Sequence, residues 1–307
     1  MHRSIDYAGL FPPARLDMRT ALRDFHGYQT HPRADFLARF VMPLDRLAEA
    51  RLVYERQLAD LRPSWHMAGL VKTASLDATN LESSLRQVAS ALEDFSKAFP
   101  LVTADVIEAD MPEEIRADGH ADAALRDWLA LLKQMFSEPQ RSRRIFVELD
   151  WRSDFPGAMA VIRQSGDRFG VKLRTGGLTA DMVPPSNRVA RFLVCASDCR
   201  LPVKTTAGLH APVPHHDQSA GTRSHGFLNV FTAAFMAYSG KGKEHEIADV
   251  LDCATYDDFR FTDSGYACRG QQFAIDEIRD LRQHGIVSFG SCSFLEPLEH
   301  LTRHGLL

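Results

Sequence analysis

At 307 residues, 45% hydrophobic and 25% charged, the chain has the composition of an ordinary globular protein rather than a disordered one. A net charge of −4 with no polybasic tail gives no field for nucleic acid, so a small-molecule partner is expected. No apolar run is long enough to span a membrane, and MHRSIDYAGLFPPARLDM lacks the apolar core and cleavage site of an export signal, so neither a membrane nor export is expected.

In chain order, short β-type apolar runs alternate with longer segments of helical period, the mark of βαβ units around a parallel sheet. Strands are predicted near Ile5–Leu10, Arg39–Met42, Trp65–Lys72, Leu101–Ile107, Ile145–Leu149, Gly170–Arg174, Pro202–Thr206 and Ile286–Phe289. Helices are predicted over about Met18–Thr30, Arg46–Leu61, Ser83–Ala98, Ala121–Phe136, Gly157–Gln164, Ser186–Ala196, Gly226–Ser239 and Pro297–Arg303. Eight strands, each followed by a helix, predict a (β/α)8 TIM barrel forming one domain over residues 1–307.

The regularity fails once, between His210 and Gly285, a span far too long for a βα connection. It contains the helix HGFLNVFTAAFMAYS, a second around Glu246–Leu251, a hairpin through FRFTDSGYACRG and a helix IDEIRDLRQHG. The segment from about 211 to 285 is therefore expected to be an insertion between strands seven and eight, either a lid over the active end or an arm for homo-oligomerisation. As a lid it would bring His225 and Asn229, four apart on one helix face, into the pocket.

In strand six, GVKLRTGG, Lys172 and Arg174 share one face. Helices cover the outside of a parallel barrel, so that face is expected to point inward, and buried cations need anionic partners or a ligand. Strand seven, LPVKTTAGLH, places Lys204 the same way, with His210 beyond its end. A lysine beside a second cation has a depressed pKa and can form a Schiff base near neutral pH, which makes Lys172 and Lys204 candidates for catalysis. Strand five, FVELDW, offers Glu148 and Asp150; strand four, TADVIEAD, offers Asp105 within the β-run and Glu108 and Asp110 at its end. Such carboxylates can pair with the lysines or carry protons. The last strand ends FGSCSF, where amides around Gly290, Ser291 and Ser293, with Gly176, Gly177 and Gly208 after strands six and seven, are expected to hold an anion.

At these residues the chain resembles the deoxyribose-phosphate aldolase family of class I aldolases. VKLRTGG is similar to that family's Lys-x-x-Thr-Gly segment, which implies that Lys172 forms the imine. PVKTTAGLH resembles the segment whose lysine perturbs the first, a role for Lys204. SFGSCSF resembles the family's phosphate-binding turn, ADVI points to Asp105 as the catalytic aspartate, and IDYAGL resembles the first strand. The resemblance covers mainly 145–209 and the last twenty or so residues. Three departures stand out: Arg174 where the family has a small residue, His210, and the insertion after it. The expectation is a class I aldolase or lyase without a cofactor or a metal, taking a small carbonyl compound that bears phosphate or carboxylate.

Two competing readings remain. His210, His215, His216 and His225 could join Glu148 or Asp150 in a metal-dependent lyase or hydrolase, or the barrel could bind an anionic metabolite without turnover. Five scattered cysteines, Cys195, Cys199, Cys253, Cys268 and Cys292, fit reduced thiols in a cytoplasm.

Overall fold

In the computed structural model, which describes residues 1–117, 122–137, 143–217 and 221–307, parallel strands close into a TIM barrel. Seven of them follow one another around the ring: β1 (Ile5–Tyr7), β2 (Leu37–Pro43), β3 (Trp65–Val71), β4 (Val102–Asp110), β5 (Arg144–Leu149), β6 (Phe169–Arg174) and β7 (Val203–Thr206). A hairpin, β8 (His215–Asp217) with β9 (Thr222–Ser224), follows β7. An antiparallel sheet of β10 (Phe259–Thr262), β11 (Gly265–Cys268) and β12 (Gln271–Ala274) comes next. The last strand, β13 (Ile286–Ser291), closes the ring between β7 and β1.

The helices are α1 (Met18–Tyr28), α2 (Leu47–Gln57), α3 (Leu81–Ala98), α4 (Glu113–Ala117), α5 (Asp122–Phe136), α6 (Phe155–Gln164), α7 (Ser186–Asp198), α8 (Phe227–Ser239), α9 (Glu244–Leu251), α10 (Ile275–Asp280) and α11 (Leu295–Arg303). The expected start of the fourth predicted helix, Ala121, lies outside the described residues. Local chemistry sets several boundaries. The Asp17 carboxylate accepts from the Thr20 amide and caps α1, while Pro156 opens α6, where a missing N–H costs nothing. In α3, Leu85, Ala89, Leu92 and Phe95 recur at helical spacing and form its buried stripe.

Each barrel strand sends alternate side chains outward under the helices: in β6 these are Phe169, Val171 and Leu173, all buried, while Lys172 and Arg174 take the inner face. Inside the barrel, Ala8, Val41, Ala68, Val106 and Phe146 form a small apolar plug. The register shifts at three places around the ring, and the shift in β4 bears on the site. Met67 of β3 pairs with Ala104 and Ala68 pairs with Val106, so Asp105 is an extra residue in the ladder. The bulge turns Val106 and Glu108 inward, a phase that simple alternation from Asp105 would not give.

The long segment after β7 differs from the expected lid. Helix α8 is buried from Phe227 to Met236, its Phe227 stacks on Phe289 of β13 at 5.1 Å, and Phe231 meets the same ring edge-on. It is the seventh helix of the barrel wall. Its far side carries β10–β12 through Phe235, Tyr266 and Phe273, and α9 packs against both α7 and α8. A helix that is apolar all round must be covered all round, and this one is. The β8–β9 hairpin brings Ser224, which is buried, close to Gly208 after β7.

Candidate active site

An alternating chain of charges runs through the barrel interior. Beginning toward the N-terminal end, Arg39 of β2 holds Asp105 with two hydrogen bonds of 2.9 and 2.8 Å and lies 3.6 Å from Asp6 of β1. Asp6 binds the Lys204 ammonium at 2.8 Å and accepts a hydrogen bond from Ser288. Lys204 pairs in turn with Glu108, whose second oxygen lies 2.6 Å from Lys172. Lys172 also contacts Glu148 at 2.9 Å, and the other Glu148 oxygen is 3.9 Å from Arg174 at the mouth. Strand register explains the order: β5, β6 and β7 place Glu148, Lys172 and Lys204 side by side.

Asp6, Glu108, Lys172 and Lys204 are all buried, whereas Glu148 is partly open and the Arg174 side chain is 55% exposed. Glu108 is fully desolvated, which would push its pKa up, but the two lysines outweigh burial and hold it down to about 2. At Lys172, burial pulls the other way from Glu108 and Glu148, and the carboxylates win, so its pKa is raised. The expected depression by direct repulsion from Lys204 is therefore absent. Glu108 sits between the ammoniums and converts a repulsive pair into a bridged one, so Lys172 rests as an ammonium with carboxylates in contact to take its protons.

The residues read from the sequence divide clearly. Lys172, Lys204 and Glu148 come together, with Arg174 at the rim. Asp105 does not join them: it lies toward the other end of the barrel, clamped by Arg39 with His66 Nδ1 at 3.5 Å, and despite desolvation these partners hold its carboxyl well below the usual range. Glu108, three residues on, fills the place expected of Asp105. Besides Glu148, the carboxylates in contact with the lysines are Glu108, which the sequence offered only as a possible partner at the end of strand four, and Asp6, which it did not single out. The period-two pattern of ADVIEAD was the available signal, but the bulge shifts its phase.

The anion cradle is also different from the expectation. A Cβ on Gly176 would come within 2.9 Å of the Gly208 Cα, and Gly208 has φ +74, so this pair lets the loops after β6 and β7 touch. A Cβ on Gly290 would meet Thr206 Oγ1 at 2.5 Å, and one on Gly177 would strike the Met182 side chain. In the last turn, the Ser293 amide donates to Ser291 Oγ and the Glu296 amide donates to Ser293 Oγ. Glu296 then places its carboxylate in the first turn of α11, 2.9 Å from His210 Nδ1.

Helix α8 withdraws its two candidates. The Asn229 amide donates to the carbonyls of Val250 and Cys253, locking α8 to α9, and His225 Nε2 is 2.7 Å from the Pro184 carbonyl. Burial lowers the pKa of His225. Among the described residues, no group of three His, Cys, Asp or Glu side chains is arranged to hold a metal ion, so the ligand set read from His210, His215, His216 and His225 is not assembled. The five cysteines are free. No helix among the described residues is long and apolar enough to cross a membrane.

No family model matches the chain and no curated protein does. Among solved structures, one that resembles it is the catalytic domain of CcCel6A complexed with p-nitrophenyl beta-D-cellotrioside, at 12% identity and a TM-score of 0.24, over 78% of this chain and 69% of that one. So distant a likeness carries no argument, and the assignment to the TIM barrel fold comes from the closed strand order and the alternating helices themselves.

Proposed function

We propose that this chain is a cytoplasmic class I lyase of the aldolase type, forming a Schiff base through Lys172 with a small anionic carbonyl compound. The observation that carries the reading is the setting of Lys172: a buried amine on the mouth side of a barrel, touching two carboxylates of which Glu148 is open to the entrance. Enzymes of the barrel class place their chemistry at this end. The free cysteines fit a reducing compartment.

The step balances with the groups present. Lys172 passes a proton to Glu108 or Glu148 and attacks the carbonyl carbon with the freed electron pair. The carbonyl oxygen collects two protons, both originally on the ammonium, and leaves as water. One proton and the positive charge stay on the iminium nitrogen, where Glu108 and Glu148 continue to balance the charge. Lys204 and Asp6 position Glu108 from the other side.

Borohydride reduction in the presence of carbonyl compounds, followed by peptide mass spectrometry, tests this. An adduct is expected on Lys172, and Lys172→Arg is expected to abolish it, because a guanidinium stays protonated and is no nucleophile. Adducts on another residue, or lyase activity surviving in Lys172→Arg, would refute the assignment.

A further inference from the structure

Within the imine reading, on which this inference rests, we infer that the substrate is a short keto acid whose carboxylate is held by Arg174, and not a sugar phosphate held at the last turn of the barrel. Two independent features of the mouth carry it.

The first is that the place for a phosphate is filled. Anion sites at the end of a barrel need backbone N–H groups free to point at the ligand. Here the Ser293 and Glu296 amides are spent on the hydroxyls of Ser291 and Ser293. The Glu296 carboxylate occupies the position where a phosphate would need positive charge, and it is itself held by His210. The neighbouring His300 has its pKa lowered, chiefly by burial, so it is neutral at pH 7 and adds no cation. The glycines expected to let a phosphate approach, Gly176, Gly208 and Gly290, are used for contacts between strands and loops. A dianion at this turn would face the Glu296 carboxylate, with the Ser293 and Glu296 amides already engaged.

The second is that Arg174 is a guanidinium placed for a carboxylate near Lys172. Arg152 and Arg188, farther out on the same side, are spent on the carbonyls of Asp181, Trp151 and Ser153. Among the described residues Arg174 has a single, loose ion pair, 3.9 Å from Glu148. The carboxylate of Glu148 spans the distance between Lys172 and Arg174, one oxygen toward each. The half-exposed guanidinium of Arg174 is open on its other side, where a planar carboxylate would lie close to the atom bonded to the amine. A 2-oxo acid has that shape, its carboxylate one bond from the carbonyl carbon. A guanidinium binds such a carboxylate through two parallel hydrogen bonds, whereas a phosphate three or more bonds from the carbonyl would reach past Arg174.

The test measures half-saturating concentrations for borohydride trapping with three probes, pyruvate, propanal and glyceraldehyde 3-phosphate, in the native chain and in Arg174→Gln. The exposed position of Arg174 makes the variant compatible with folding, which circular dichroism checks. Using the ratio of pyruvate to propanal removes differences in intrinsic reactivity between the variants. That ratio is expected to rise about ten- to a hundredfold in Arg174→Gln, the loss of a charged hydrogen-bonded contact. A ratio that does not move, or half-saturation by glyceraldehyde 3-phosphate below that by pyruvate in the native chain, overturns the keto-acid assignment while leaving imine formation intact. No adduct with any probe on folded protein overturns imine formation itself, and this assignment with it.

Discussion

At the scale of single residues, Glu108 decides the character of the site. It is buried between two ammoniums, and removing its charge would leave both cations desolvated around a neutral amide. Glu108→Gln is therefore expected to destabilise the protein by about 3–5 kcal/mol, measured by urea unfolding, because breaking a buried ion pair from one side strands the other charge. Glu148 is nearer the entrance and its loss is better tolerated. Since Glu148 is one of the anions raising the Lys172 pKa, Glu148→Gln is expected to move the half-maximum of a pH profile of borohydride trapping to lower pH. A profile that stays in place would mean that Glu148 does not govern the amine. Lys172, Lys204 and Glu148 were legible in the sequence because strand alternation puts them on the face where charges are costly without a purpose. The choice of Asp105 over Glu108 failed for a local reason, one extra residue in β4, and nothing in the residue types of TADVIEAD announces a bulge.

At the scale of elements, the alternation of β-type and helical periods predicted all of the barrel strands to within a few residues, since burial on both faces writes the strongest pattern into a parallel sheet. The segment after β7 was read correctly as helices and a hairpin, with Gly226–Ser239 counted among the barrel helices, but the lid role given to that same helix does not hold. The run HGFLNVFTAAFMAYS is apolar on every side, and a lid, wet on one face, would not be. That signal pointed to a wall helix covered by further structure, as α8 is. The polar Asn229 within it then requires partners, and it finds them in the last turn of α9, at Val250, and just beyond it, at Cys253. Asn229→Ala leaves two buried carbonyls without their donor, so a loss of about 1–3 kcal/mol in unfolding free energy is expected, with little change in trapping by Lys172. A large loss of trapping at unchanged stability would return α8 to the active site.

For the whole molecule, the buried charges set the response to acid. A carboxylate whose folded pKa lies below its unfolded value stabilises the fold at and above the unfolded value and loses that contribution as pH falls toward the folded one. Glu108, ordinarily near 4.5, is held at about 2, and Asp105 is likewise lowered. The melting temperature is thus expected to be steady from neutral pH to about 5 and to fall steeply as pH drops from about 4.5 toward 2. Calorimetry across that range checks it, and a melting temperature indifferent to acid would contradict the paired state of Glu108. The raised pKa of Lys172 works in the opposite sense: its contribution is complete at neutral pH and is lost only in strong alkali.

The alternating row from Asp105 to Arg174 has a consequence for how such a sequence can change over time. Asp105, Asp6, Glu108 and Glu148 offset Arg39, Lys204, Lys172 and Arg174, and each interior member leans on a neighbour of opposite sign. A lone replacement in the middle of the row strands a partner in a dry interior, so drift is blocked there one position at a time. It can pass only in compensating steps, Lys204 with Asp6 or with Glu108, while Arg174, half exposed at the mouth, can be replaced without stranding a buried partner.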